Sequence, residues 1–216
     1  MFNLDKNRVD RIGMPEAIYC EGKHITLLIE IVKELYSDKD KNCYLLTRLS
    51  QEKANVLKEK FESIDYDQLS RTAFIRKTLQ KREGSVVIVS GGTSDIPISL
   101  ETSRSLEFFG ISSLKISDVG VAGINRLFSR IEEIRKYDVV IAIAGMDAAL
   151  ITVLAGLIHN PLIAVPTSIG YGSANMGQTA LNAALCSCSQ GVLVTNIDNG
   201  FGAACAAVRL IGRIKK

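Results

Sequence analysis

The chain has 216 residues, 47% of them hydrophobic, with a formal net charge of +3, which suffices for one sizeable core and a small appendage. No run of Lys and Arg is long enough to make a stripe for nucleic acid, and no apolar stretch reaches the roughly 20 residues of a membrane-spanning helix. Met1 to Asp10 lacks the apolar centre of a signal peptide, so a cytoplasmic protein with neither nucleic-acid nor membrane partners is expected.

Charge divides the chain. Residues 1–83 carry 30 charged side chains and the remaining 133 carry 19, which places a boundary at Glu83 and Gly84. In the first part the pattern predicts a helix over Ile25 to Tyr36, a strand over Cys43 to Thr47, a solvated helix over Gln51 to Phe61 and then a basic connecting segment, together a small α/β appendage. After Gly84, apolar runs alternate with helical periodicity five times. The strands are expected at Val86 to Ser90, Leu114 to Val119, Val139 to Ala144, Leu162 to Pro166 and Val192 to Ile197. The helices are expected at Ile96 to Phe109, Ile124 to Lys136, Asp147 to Ile158, Asn175 to Cys186 and Phe201 to Ile211. Five such βα units predict a doubly wound parallel sheet with helices on both faces, a flavodoxin-like three-layer domain over residues 84–216.

From Val139 to Val208 the only charged side chains are Asp147 and Asp198. So little charge over this length implies deep burial, where a carboxylate must be paired, hydrogen-bonded or turned toward a solvated cleft. The segment from Asp147 to Ile158 is apolar nearly all round, and burial against another subunit accounts for it; a homo-oligomer is therefore expected.

Three segments carry candidate chemistry. Gly91, Gly92, Thr93, Ser94 and Asp95 follow the first strand and open a helix, so their amides and hydroxyls make an anion cradle suited to phosphate; the plain alternative is that Ser94 or Asp95 caps the helix. Thr167, Ser168, Gly170 and Tyr171 stand at the carboxyl end of the fourth strand, where parallel sheets bind ligands, or else their hydroxyls satisfy their own loop. Cys188, with Cys186 beside it, lies between a helix end and the last strand, next to the expected pocket; a buried small hydrophobe is the alternative. A helix C-terminus disfavours a thiolate, a penalty that a cationic ligand would reverse. Asp147 caps a helix or faces the pocket. Asp198, between Asn196 and Asn199, serves a turn or contacts ligand. His24 and His159 have no partner at triad or metal spacing and read as structural or exposed. Five cysteines scattered as Cys20, Cys43, Cys186, Cys188 and Cys205 fit free thiols rather than a metal cage or disulfides.

Arg11-Ile-Gly-Met-Pro-Glu-Ala-Ile-Tyr-Cys-Glu-Gly-Lys, Thr47-Arg48, Gly92-Thr-Ser-Asp-Ile-Pro, Asp118-Val-Gly-Val-Ala-Gly-Ile, Ala144-Gly-Met, Val165-Pro-Thr-Ser-Ile-Gly-Tyr-Gly and Asn196-Ile-Asp-Asn-Gly-Phe-Gly-Ala together resemble the LarB family over the whole chain. Many LarB sequences have His and Glu where this chain has Asn125 and Asp147. The second domain is similar to PurE, whose catalytic His would fall at Ala149. The resemblance implies a synthase of pyridinium-3,5-biscarboxylic acid mononucleotide, an early step toward the nickel-pincer nucleotide, assembled as an octamer.

What it implies chemically is that a thiolate, Cys188, adds to the pyridinium of nicotinic acid adenine dinucleotide and turns the ring into an enamine that attacks carbon dioxide supplied by bicarbonate. Phosphoanhydride hydrolysis then releases AMP. Thr93, Ser94 and Asp95 would hold phosphate or ribose, and Asp147 or Asp198 would take the proton or orient the ring. No tightly bound cofactor is implied. Magnesium at the pyrophosphate is compatible with this reading, although no dedicated metal cage is apparent. A PurE-like mutase acting on carboxyaminoimidazole ribonucleotide and a non-catalytic nucleotide-binding protein are the alternatives.

Overall fold

The computed structural model describes residues 3–5, 7–39, 42–77 and 81–214. The first part holds α1 (Arg8–Ile12), β1 (Ala17–Tyr19), α2 (Ile25–Tyr36), β2 (Tyr44–Thr47), α3 (Gln51–Lys60), β3 (Ile64–Asp67) and β4 (Thr72–Ile75). In α2 the apolar side chains Leu28, Ile31, Val32 and Leu35 recur at helical spacing and are buried, and the His24 ring accepts a bond from the Thr26 amide at the helix start, as an N-cap does. The four strands order as β1-β2-β4-β3, with β1 parallel to β2 and the rest antiparallel. The segment expected to be a basic connector thus contains a hairpin, β3 and β4; residues 78–80 of that segment lie outside the described residues. Asp65 and Asp67 in β3 mask its strand pattern, and each strand is only four residues long, too short for a clear period of two.

The second part is β5 (Ser85–Ser90), α4 (Ile96–Phe108), β6 (Ser112–Ile116), α5 (Ile124–Phe128), α6 (Ile131–Ile134), β7 (Val139–Ala144), α7 (Ala149–Ala155), β8 (Leu162–Pro166), α8 (Gln178–Leu185), β9 (Leu193–Val194) and α9 (Gly200–Ile214). Its sheet orders as β6-β5-β7-β8-β9 with every pairing parallel, the doubly wound, flavodoxin-like arrangement expected. Because β5 lies between β6 and β7, the chain changes direction across the sheet there, and the crevice outside the carboxyl ends of β5 and β7 is where such folds bind ligands.

Several elements are shorter than the pattern predicted. The helix expected over Ile124 to Lys136 breaks into α5 and α6 at Ser129, whose hydroxyl bonds back to the Arg126 carbonyl at 2.9 Å and competes with the helix ladder. Leu127, Ile131 and Ile134 remain buried on one face despite the break. Helix α7 starts two residues late because Met146 and Ala148 take left-handed backbones, and α8 starts three residues late because Asn175 and Met176 do. Strand β9 is two residues long, after which Thr195 and Asp198 still bond to the Ala164 and Pro166 carbonyls.

The charge-poor stretch from Val139 to Val208 is not deeply buried throughout in a single chain. Strands β7 and β8 are buried, but Tyr171 is 82% and Met176 76% exposed, and Leu185 and Leu193 also face outward.

The two parts share a core. Leu45 and Phe74 of the first sheet pack with Val86, Ile88, Leu106, Phe108 and the Ala203, Ala204 and Ala207 face of α9, and the Phe74 and Phe108 rings are 6.5 Å apart. Arg104 of α4 lies over the Phe74 ring at 4.4 Å and donates to the Thr72 hydroxyl at 2.7 Å. A second cluster on the opposite face of the parallel sheet takes Leu127, Ile134, Ile151 and Leu154. Replacing the fully buried Phe74 by Ala should therefore cost about 3–5 kcal/mol in urea unfolding followed by circular dichroism; a loss under about 1 kcal/mol would show that the parts do not depend on this shared packing.

Candidate active site

The site is built at the carboxyl edge of the parallel sheet from the turns after β5, β8 and β9 of the second domain and from the ends of β2 and β4 of the first. In the turn after β5 the Asp95 side chain folds back. One oxygen accepts from the Gly92 amide at 2.9 Å, and the other accepts from the Thr167 hydroxyl at 2.8 Å. At 3% exposure, Asp95 is a strut between the turns after β5 and β8, and both of its oxygens are taken by protein donors. Burial pushes its carboxyl above the ordinary range, against the Thr167 hydroxyl and Gly92 amide that favour the anion, and the nearby Asp198 adds to the rise. Thr93 and Ser94 remain exposed at the mouth.

In the turn after β8, the Ser168 amide donates to the Asp198 carboxylate at 2.8 Å, and the Asp198 amide donates to the Pro166 carbonyl at 2.9 Å. Asp198 itself has a left-handed backbone, φ 56°. Asn199 accepts from the Gly202 amide at 2.8 Å and caps α9, and the Asn196 side chain accepts from the Ile197 amide at 2.9 Å. Gly170 is obliged to be glycine: its φ is +147°, and a Cβ would lie 2.5 Å from that of Ala174.

The contribution of the first domain was not among the expected site residues. Arg48, just past β2, donates from Nε to Glu101 at 3.0 Å and from Nη2 to the second Glu101 oxygen at 3.5 Å, and the same nitrogen donates to the Asp198 carbonyl. Glu101 is buried in α4. Burial raises its pKa, opposed by the Arg48 guanidinium and the Gly200 amide. The helix approach that makes this possible needs Gly200, where a Cβ would stand 2.6 Å from the Thr102 hydroxyl and 2.9 Å from the Ile98 carbonyl. Arg48, Arg71, Ser94, Glu101, Ser168 and Asp198 are among the residues lining one cavity of about 180 Å³. Nothing local in the sequence marks Arg48, Arg71 or Glu101, because the packing of one domain on the other brings them to the cavity.

Other expected residues lie elsewhere. Asp147 is exposed and accepts from the Ala149 amide at 3.2 Å, an Asx turn one residue ahead of the α7 N-cap, Ala148. Tyr171 projects outward, and Asn125 is exposed on the first turn of α5. His24 caps α2 and His159 is exposed.

Cys188 does not stand beside this cavity in its own chain. Strand β9 runs parallel to β8, so the loop leading into it lies at the amino edge of the sheet, opposite Ser94 and Asp198. That loop is pinned to the flank of α7 by Ser187, 3.0 Å from the Thr152 hydroxyl, and by Ser189, which donates to the Thr152 carbonyl at 3.1 Å. Cys186 and Cys188 are both exposed. Burial instead pushes the Cys20 thiol up to about 12 and that of Cys205 to about 11, which keeps both protonated and unreactive. Among the described residues no group of three or more His, Cys, Asp or Glu is arranged to hold a metal ion, and no helix is long and apolar enough to cross a membrane. Both Asp95 oxygens are engaged by protein donors, which does not fit a magnesium ligand.

A family model of the LarB/PurE-like N-terminal domain matches residues 1–77, and one of AIR carboxylase matches residues 85–216. The chain belongs to the LarB family. This LarB-family chain is 40% identical over 210 residues to an uncharacterized protein of Methanocaldococcus jannaschii, covering 93% of this chain and 80% of that protein. It is also 39% identical over 84 residues to the N5-carboxyaminoimidazole ribonucleotide mutase of the same organism, covering 38% of this chain and 51% of the mutase. In fold it is similar to the crystal structure of Treponema denticola PurE2-S38D, with a TM-score of 0.51, 23% identity and coverage of 61% and 82% of the two chains. Its second domain places this LarB-family chain among the PurE-related carboxylases and mutases.

Two predictions follow from the buried acids. The native pKa of Asp95 is raised, so the folded chain holds its proton at pH values where the unfolded chain has lost it. The stability it contributes is complete below the ordinary carboxylate value of 3.8 and is lost as pH rises through the raised native value. Asn can accept from Gly92 and donate to Thr167, so Asp95→Asn should gain stability over the wild type between about pH 4 and pH 7; denaturant midpoints that track in parallel across that range would refute this. Arg48→Met leaves Glu101 buried without its cation and should lower stability by about 3–5 kcal/mol at neutral pH, with part of the loss recovered in Arg48→Met/Glu101→Gln.

Proposed function

We propose that the chain carboxylates the pyridinium ring of nicotinic acid adenine dinucleotide and hydrolyses its phosphoanhydride, giving pyridinium-3,5-biscarboxylic acid mononucleotide and AMP. The observation that carries this reading is the joint architecture: a LarB-type first domain whose Arg48 reaches Glu101 and Asp198 at the ligand-binding edge of a PurE-like second domain. A PurE-like domain acting alone has no such third wall.

The chemistry is redox-neutral. A thiolate adds to a ring carbon of the pyridinium, forming a C–S bond while the ring nitrogen takes the electron pair. The resulting enamine attacks carbon dioxide through C5. Loss of the C5 proton and departure of the thiolate restore the aromatic ring, and water cleaves the phosphoanhydride. The Asp198 carboxylate lines the cavity and is the proton acceptor in this scheme, while Thr93 and Ser94 meet phosphate at the mouth. Cys188 is the nucleophile. Since it lies at the opposite edge of its own sheet, it acts on the cavity of a second copy, whose exposed apolar Tyr171, Met176 and Leu185 are suited to burial between subunits.

Incubation with the dinucleotide and bicarbonate is expected to yield AMP and a mononucleotide heavier by one carboxylate; absence of both products sinks the reading. Intact mass should show a dinucleotide adduct on Cys188. Cys188→Ala and Asp198→Asn should each be inactive alone, and mixed oligomers of the two should recover turnover, because the intact groups then meet across an interface. No recovery would mean that cysteine and cavity are not shared between copies.

A second reading, a PurE-like mutase, is favoured by the 39% identity to the archaeal mutase. It is opposed by Ala149, which stands where the catalytic imidazole of such mutases would fall and has no group to move a proton. Turnover of N5-carboxyaminoimidazole ribonucleotide would select it.

A further inference from the structure

We infer that Arg71 of the first domain is the second wall of an anion site that receives a phosphate of the nucleotide opposite Ser94. The choice of ligand rests on the reading above; the geometry comes from the cavity itself.

In the register of β2 and β4, Leu46 opposes Ala73, and the same register carried one turn further sets Arg48 opposite Arg71. The Leu49 amide donates to the Arg71 carbonyl at 2.8 Å, which ties the two positions together. Both residues hold left-handed backbones, φ 53° and 52°, which L residues seldom adopt. Two guanidiniums are thereby delivered to one end of a sheet and into one cavity, an arrangement that repels unless anions separate them.

The anions present are unequally shared. Arg48 is matched by buried Glu101 on two nitrogens and by the Asp198 carbonyl, so its Nε and Nη2 are committed to protein. The ion pair of Arg71 is a single 3.4 Å contact with Glu21, and both side chains are more than 40% exposed. Exposed pairs of this kind hold weakly, so a better acceptor can draw the Arg71 fork inward. The exposed Ser94 lines the same cavity, whereas the buried Ser70 hydroxyl is committed to Asp67 at 2.6 Å and Thr72 at 2.8 Å. A guanidinium fork opposed by a hydroxyl-bearing turn matches the oxygens of a phosphate. Lys would supply the charge without the fork.

Size points the same way. At about 180 Å³ the cavity is smaller than the roughly 300–1,000 Å³ that a whole drug-sized ligand occupies. It therefore takes one phosphoryl-bearing portion of a dinucleotide and leaves the rest outside, and Arg71, on the rim and contributed by the first domain, grips the phosphate where the ligand leaves the cavity.

The test is calorimetric titration of the full chain with inorganic pyrophosphate at fixed low ionic strength, followed by steady-state turnover of the dinucleotide. Arg71→Gln is expected to weaken pyrophosphate about tenfold or more, the loss of charge-assisted bonds, and to raise KM for the dinucleotide with little change in kcat. Arg71→Lys should fall between. Arg71→Gly also relieves the left-handed backbone, so it should melt no lower than the wild type and still lose binding, which separates a ligand role from a structural one. Pyrophosphate binding within twofold of wild type in Arg71→Gln or Arg71→Gly, or no pyrophosphate binding by the wild type, overturns the inference. If pyrophosphate binds in an Arg71-dependent way but the dinucleotide is not turned over, the anion site stands and the proposed reaction fails. Turnover with a KM unchanged by Arg71→Gln has the opposite meaning.

Discussion

The buried ion pair between Arg48 and Glu101 is the interaction on which the site depends. Glu101 is inside α4, where an unpaired carboxylate would be strongly disfavoured, and Arg48 is the cation that makes its burial tolerable. Because Arg48 also holds the Asp198 carbonyl, one guanidinium ties the first domain, the helix after β5 and the loop after β9 into a single arrangement. The apolar contacts around Phe74 add most of the adhesion between the domains, since hydrophobic burial is roughly proportional to area and indifferent to direction. The ion pair adds direction, which apolar packing lacks.

The second strut, Asp95, works within the second domain. Its carboxylate joins the turn after β5 to Thr167 after β8 across β7, so the two ligand-facing turns are fixed relative to each other before any substrate arrives. Preorganisation of this kind lowers the ordering cost of binding. It also removes Asp95 from the groups free to meet a ligand and leaves Thr93 and Ser94 exposed at the mouth of the cavity. Asp95, one of the five residues expected to cradle phosphate, is a structural member, and Arg48, from a strand end in the other domain, lines the cavity.

The parallel sheet was highly legible in the sequence, because β5, β7 and β8 are near-continuous apolar runs bounded by glycine, proline and hydroxyl residues. Strands β7 and β8 have the expected bounds, and α2 matches to the residue. The β3–β4 hairpin was not legible, since four-residue strands bearing Asp65 and Asp67 carry too little periodicity. Helix starts at α7 and α8 were misplaced because Met146, Ala148, Asn175 and Met176 hold left-handed backbones that no side-chain preference announces. Of the residues expected from their positions after strands, Ser94, Ser168 and Asp198 line the cavity. Arg48 and Arg71 were not expected, because their relevance comes from the packing of one domain on the other. Cys188 shows a further limit: closeness in sequence to the last strand says which element a residue precedes, whereas direction along the sheet decides which edge it occupies.

Gly145 sits so near the following turn that a Cβ there would be 2.4 Å from the Ile169 carbonyl and 2.6 Å from the Thr167 hydroxyl, while the adjacent Met146 amide donates to that same carbonyl at 2.7 Å. The missing side chain at position 145 is therefore what lets the loops after β7 and β8 come close enough for that bond, and any residue larger than glycine there would push Ile169 away from the segment carrying Asp147.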